Sequence, residues 1–146
     1  MSRGTSLRPI LLVEDNPVDI DLTRRAFKRR SLLSPLDVAR DGADALARLE
    51  SWERGHPAPA VILLDLKLPR VDGLEVLRRI RAHPRFGTLA VVVLTSSAET
   101  SDVQAAYAAG ASSYIVKPID FERFVSVCQQ IEAYWGEINH PPVVGA

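Results

Sequence analysis

Four polar positions each follow a mostly apolar run. Ile10 to Val13 leads into Glu14 and Asp15, and Ala60 to Leu64 leads into Asp65. Leu89 to Leu94 leads into Thr95 and Ser96, and Ser113 to Val116 leads into Lys117. If those runs lie side by side as strands, carboxylates, a hydroxyl and an ammonium meet at one edge. Crowded carboxylates repel, and each resists ionising alone. A hard divalent cation resolves that conflict. Mg²⁺ takes oxygen ligands, keeps several waters, and is typically held by one or two carboxylates plus a phosphate. Lys117 adds a second positive charge, and Thr95 a hydroxyl that can meet an oxyanion. Such a set suits phosphoryl transfer, where catalysis is mainly positioning and charge neutralisation. Asp65, the central carboxylate, is then the candidate nucleophile, forming an acyl phosphate.

These runs alternate with helical periodicity. Asn16 and Pro17 read as an N-cap and a first helical position, opening a helix to about Arg30. Leu36 to Ala39 is a shorter strand. Asp41 and Gly42 open a second helix, which cannot continue through Pro57 and Pro59. A third helix follows Gly73 and runs to about His83. Ser101 and Gln104 predict a capping box for a short fourth helix, with Gly110 as its C-terminal glycine. Asp120 caps a last helix expected to reach about Ile138. Strand followed by helix, repeated, predicts an α/β fold: a parallel sheet with helices on both faces and right-handed crossovers. Ligands of such sheets bind beyond the carboxyl ends of the strands, where the polar positions fall.

The composition narrows the function classes. At 146 residues, 47% hydrophobic and 25% charged, the chain is sized and composed for one globular domain. Its formal charge is zero, without the positive field of a dedicated nucleic-acid binder. No apolar stretch approaches the ~18 residues of a membrane span, and Met1 to Pro9 carries no signal-peptide core. A cytoplasmic protein is expected. Cys128, in an apolar run, reads as a small core residue. Among 18 basic residues only Lys28, Lys67 and Lys117 are lysines. A compact ammonium at position 117 is therefore a pointed choice over the prevailing arginine.

Taken jointly, Val13 to Asn16, Leu63 to Pro69 with Asp72 and Gly73, Leu94 to Ser97, and Gly110 to Pro118 resemble the receiver domain of bacterial response regulators. The resemblance covers roughly residues 8–138 and leaves 139–146 as a short tail. It implies a flavodoxin-like, doubly wound five-stranded sheet in the order 2-1-3-4-5, with an extended C-terminal helix. It implies that a sensor histidine kinase phosphorylates Asp65. Asp15, Asp65 and the backbone carbonyl of Lys67 would ligate Mg²⁺, with Glu14 acting through water. Lys117 would pair with the phosphoryl oxygens, Thr95 would move to hydrogen-bond them, and Tyr114 would turn inward behind it. The Lys117–Pro118 bond would be cis. Many members carry asparagine where this chain has Lys67, but only the carbonyl is needed for metal. Glu14 to Asp19, Leu68 to Gly73 and Ile131 to Trp135 are also similar to the stand-alone regulators that partner bacterial phytochromes. On that reading the chain is a signalling switch with no effector attached, not a metabolic enzyme.

A small phosphatase or phosphotransferase with an aspartyl nucleophile is the competing class. Many such enzymes place a second Asp two residues on, where this chain has Lys67. A flavodoxin-like cofactor binder would need a phosphate-cradling loop where Glu14 to Pro17 is acidic. Phe121, Phe124, Val125, Cys128, Ile131, Trp135 and Ile138 form an apolar stripe on the last helix. About 18 residues of helix reach ~27 Å, whereas a buried strand spans only ~17 Å. Tyr134, Trp135 and Ile138 should then overhang the sheet and form a homodimer surface. The clusters Arg24, Arg25, Lys28 to Arg30 and Arg78, Arg79, Arg81 read as solvated helix faces, the first also as a kinase-docking candidate. His83 and His140 read as exposed loop residues, and His56 precedes a proline.

Overall fold

The computed structural model describes residues 8–29 and 35–135. Its elements are β1 (Ile10–Val13), α1 (Pro17–Arg29), β2 (Leu36–Ala39), α2 (Gly42–Glu53), β3 (Val61–Leu64), α3 (Gly73–Ala82), β4 (Val91–Thr95), α4 (Thr100–Ala108), β5 (Ser113–Val116) and α5 (Phe121–Ala133). The strands form one parallel sheet in the order β2-β1-β3-β4-β5.

Side-chain alternation divides the core between the two faces. Leu11, Val13, Ile62, Leu64 and Val91 pack against α2 and α3 through Leu49, Val76, Leu77 and Ile80. Val93 meets α4 at Ala106 on the same side. Ile10, Leu12, Val61, Leu63, Val92 and Leu94 face the other way, toward Ile20 and Phe27 of α1 and Phe124, Val125, Cys128 and Ile131 of α5. The continuous apolar runs are thus strands buried on both faces. Cys128 is core, and burial pushes its thiol up to about 12. No described helix is long and apolar enough to cross a membrane.

The helix starts follow the predicted caps for α2 and α5. Asp41 accepts from Asp44 N and Asp120 from Arg123 N. Gly110 takes φ +106° after α4, as a C-terminal glycine should. The Ser101–Gln104 capping box is not formed. The cap position of α4 is Glu99, one residue before the helix at Thr100, with no side-chain cap bond. Ser97 does the local work instead, its hydroxyl accepting from Glu99 N at 3.2 Å and donating to Asp102.

Regular α5 geometry stops at Ala133, short of Ile138, which lies outside the described residues. Tyr134 and Trp135 follow in a wider helical turn. Tyr134 is exposed, while Trp135 packs back on the core shared by α1 and α5 and edge-on against Tyr134.

Two side chains read as surface are structural. Arg81 donates to the carbonyls of Gly110 (2.8 Å), Gly87 (3.1 Å) and Leu89 (2.7 Å) and to the Ser112 hydroxyl (3.2 Å). It fastens the end of α3 to the loops that enter β4 and β5. Its guanidinium supplies the fork of donors that several loop carbonyls need, and lysine could not match it. His83 is largely covered: its Nδ1 accepts from the amides of Arg85 and Phe86, and its Nε2 lies 3.3 Å from the Glu53 carboxylate. The loop after α3 needs an acceptor for those two amides, and an imidazole nitrogen provides it.

Candidate functional site

The register aligns the strand ends. Val13 pairs with Ala39 and Leu64, Leu64 with Val93, and Thr95 with Val116. The next residue on each strand stays in the ladder: Glu14 N donates to Ala39 O, Asp65 N to Val13 O, and Lys117 N to Thr95 O. Glu14, Asp65, Thr95 and Lys117 therefore emerge at one edge. Gly73 lets α3 start against the end of β3. A Cβ there would lie 2.4 Å from the Asp65 carbonyl oxygen, so no other residue fits without moving the loop.

Lys117 is the hub. Its Nζ donates to Glu14 Oε1 at 2.6 Å, Asp19 Oδ2 at 3.0 Å and Asp65 Oδ2 at 3.3 Å. Burial alone would lower its pKa, but the Glu14 bond and the carboxylates around it outweigh that and hold the ammonium above its ordinary value. Burial pushes the Glu14 carboxyl up to about 7, opposed by its bond to Lys117. Thr95, buried at the end of β4, donates to Asp65 Oδ1 at 3.0 Å. The Lys67 amide approaches the same oxygen at 3.3 Å. Asp65 is thus gripped on both oxygens yet opens onto a cleft lined by Lys67, Thr95, Ser96 and Ser97.

Lys117 reaches these carboxylates from a trans bond to Pro118, contrary to the cis expectation: no described peptide bond is cis. Trans is the lower-energy form even before proline, and it already delivers the ammonium to the site. Tyr114 is partly buried and its hydroxyl donates to the Ser97 carbonyl at 2.8 Å. Tyr114 is therefore tied to the loop that follows Thr95.

Asp15 is exposed and borders a cleft of about 500 Å³ together with Lys67, Asp72 and Thr95. Among the described residues no three acidic, histidine or cysteine side chains form a metal cluster by themselves. The donor set still fits Mg²⁺. Two carboxylates, Asp15 and Asp65, and a carbonyl supply hard oxygens, and such ions keep the rest of their shell as water. Among the described residues, Lys117 is the one cation paired with Glu14, Asp19 and Asp65, so negative charge remains in excess. Glu14 is spent on Lys117 and on Asn16 N, which places it behind the cleft.

A family model described as "Response regulator receiver domain" matches residues 10–129. The chain belongs to that family. Its sheet order is that of the receiver fold, a signalling module of two-component systems. It is 38% identical over 130 residues to "Response regulator Rcp1" of Synechocystis, covering 88% of each chain. A solved Mn²⁺-bound form of Rcp1 superposes with a TM-score of 0.82. The "Probable methanogenesis regulatory protein FilR2" of Methanothrix harundinacea is 41% identical, over 91% of this chain and 86% of that protein. Among solved structures, the phosphorylated cyanobacterial phytochrome response regulator RcpA aligns with a TM-score of 0.86 at 32% identity, covering 94% of this chain and all of that one. As a receiver, the chain is related to phytochrome response regulators.

Sequence reasoning anticipated Asp65, Thr95, Lys117 and Glu14 as neighbours. It assigned no role to Asp19, which sits in the first turn of α1 and not at a strand end. It also missed Ser97 and Asp102, which link the Thr95 loop to Tyr114 and α4. A hydrogen bond through a main-chain carbonyl leaves no mark on residue type.

Proposed function

We propose that this receiver accepts a phosphoryl group from a sensor histidine kinase onto Asp65 and thereby switches a protein-binding surface. The observation that carries the reading is the grip on Asp65. Thr95 and Lys117 each hold one of its oxygens, 3.0 and 3.3 Å away. An Asp65 oxygen attacks the phosphorus of the phosphohistidine, the P–N bond breaks, and the imidazole leaves and takes up a proton. Lys117 neutralises charge on the phosphoryl oxygens, and the Thr95 hydroxyl turns from Asp65 to meet one of them. Asp15, Asp65 and the Lys67 carbonyl would hold a divalent cation, Mg²⁺, which when bound supplies further charge neutralisation. Thr95 and Tyr114 are the switch residues, coupled through Ser97.

The likeness to the phytochrome response regulator RcpA favours a phytochrome-type kinase as partner, and the protein would act in the cytoplasm, without nucleic acid or membrane as a partner. The kinase would dock where α1 meets the β5–α5 loop. Val18 and Ile119 are exposed there, beside an apolar cleft of about 400 Å³ that includes Leu22 and Phe121. The face formed by α4, β5 and α5 exposes Tyr107, Val116 and Tyr134 and would make a homodimer, with the partly buried Trp135 next to Tyr134; Ile138, also expected there, lies outside the described residues. Tyr134→Ser should shift a wild-type dimer toward monomer in size-exclusion chromatography with light scattering. A monomeric wild type, or an unchanged dimer, contradicts that surface.

The function itself is tested with acetyl phosphate as donor. In Mg²⁺ the intact mass should rise by one phosphoryl group, and chelation should prevent it. Absence of an adduct, or turnover of phosphomonoesters without one, contradicts the proposal and favours an aspartyl phosphatase.

A further inference from the structure

An ammonium has three N–H donors, and those of Lys117 are matched by Glu14, Asp19 and Asp65. A phosphoryl group formed on Asp65 needs one of them. Asp65 cannot withdraw, because it carries the group. Glu14 is 2% exposed and is also held by Asn16 N at 3.2 Å. Releasing it would leave a buried carboxylate with less support. The Asp19 side chain is 32% exposed, so water can replace the lysine. Its place is nevertheless fixed by the helix start. The Asn16 side chain accepts from Val18 N and Asp19 N, and the Thr23 hydroxyl donates to the Asp19 carbonyl.

We infer that Asp19 is a positioning residue that occupies one donor of Lys117 in the resting protein and gives it up when a phosphoryl group forms on Asp65. This rests on the phospho-accepting reading of Asp65. Asp19 touches no reacting atom; it acts through the lysine. A resident competitor lowers the apparent affinity for a phosphoryl-like anion by the fraction of the site it keeps unavailable.

The test uses beryllium fluoride, a phosphoryl mimic, with Mg²⁺ and the full chain in titration calorimetry. Asp19→Asn should bind about tenfold more tightly than wild type, the worth of one weakened charge-assisted hydrogen bond. Asp19→Ala should do the same, while Asp19→Glu should stay near wild type. Asp21→Asn removes the same charge from the same helix, where it pairs with Arg25 at 3.0 Å. It should change affinity by less than about twofold, since screening weakens a distant exposed charge. A merely structural role would lower the melting temperature and leave or weaken the affinity. Unchanged or weaker binding by Asp19→Asn and Asp19→Ala overturns the inference, as does an equal gain in Asp21→Asn. A wild type that neither binds beryllium fluoride nor gains phosphate from acetyl phosphate removes the function reading, and this inference with it.

Discussion

Asp65→Asn is expected to abolish phosphoryl uptake while keeping folding stability within about 1 kcal/mol of wild type. The chemistry demands the first half. A carboxylamide has no anionic oxygen to attack phosphorus and cannot form an acyl phosphate. The structure demands the second. Asp65 raises the cost of ionising Glu14, so removing its charge relieves repulsion. The amide oxygen can still accept one of the two bonds now made by Thr95 and Lys117. Intact mass after acetyl phosphate and urea unfolding measure the two halves separately. Stability lost by several kcal/mol would mean that Asp65 is chiefly a structural partner, against the general pattern that active-site charges cost stability.

Lys117→Met should behave in the opposite way, losing about 3 kcal/mol at pH 8 because it strands buried carboxylates without their cation. Glu14 is the main victim, being 2% exposed with its shortest bond, 2.6 Å, to the missing ammonium. The deficit should shrink as the pH falls. Glu14 already sits at about 7 with the lysine present. Losing the lysine removes influences that lower it, so its folded-state pKa rises further above the unfolded value. The folded variant then binds the extra proton, a contribution present at low pH and lost as pH rises through the folded pKa. Urea unfolding at pH 6 and pH 8 measures this. Equal stability to wild type at pH 8 would show that Lys117 is not the counter-charge of this cluster. Phosphoryl uptake should also slow by about a hundredfold, the scale of losing one preorganised charge.

The sheet was legible because its three central strands, β1, β3 and β4, are buried on both faces. Runs such as Leu89 to Leu94 and Ala60 to Leu64 leave no other reading, and parallel pairing fixes which ends carry Asp65 and Thr95. Lys117 was legible through its chemistry in an arginine-rich chain. What escaped depends on the partner more than on the residue. Arg81 sits in a run of arginines and differs from Arg78 only in the loop carbonyls it meets. Asp19 is one more helical acid until the lysine arrives from β5, almost a hundred positions on. Trp135 illustrates the limit of counting helix length, since the chain widens its turn and returns the ring to the core. Ser101 and Gln104 have the spacing of a capping box, but α4 begins at Thr100 and Ser97 bonds Glu99 and Asp102 instead.

If Asp65 itself receives the phosphoryl group, a single tryptic peptide should carry it. Trypsin cuts after Arg54 and Lys67, and the peptide from Gly55 to Lys67 contains Asp65 as its only acidic side chain. After acetyl phosphate and Mg²⁺, borohydride reduces an acyl phosphate to the alcohol and releases phosphate. Peptide mass spectrometry should then find Asp65 converted to homoserine in that peptide and nowhere else. Conversion at Asp15, Asp19 or any other residue, or phosphate retained without a reducible acyl bond, would contradict Asp65 as the phosphoryl acceptor.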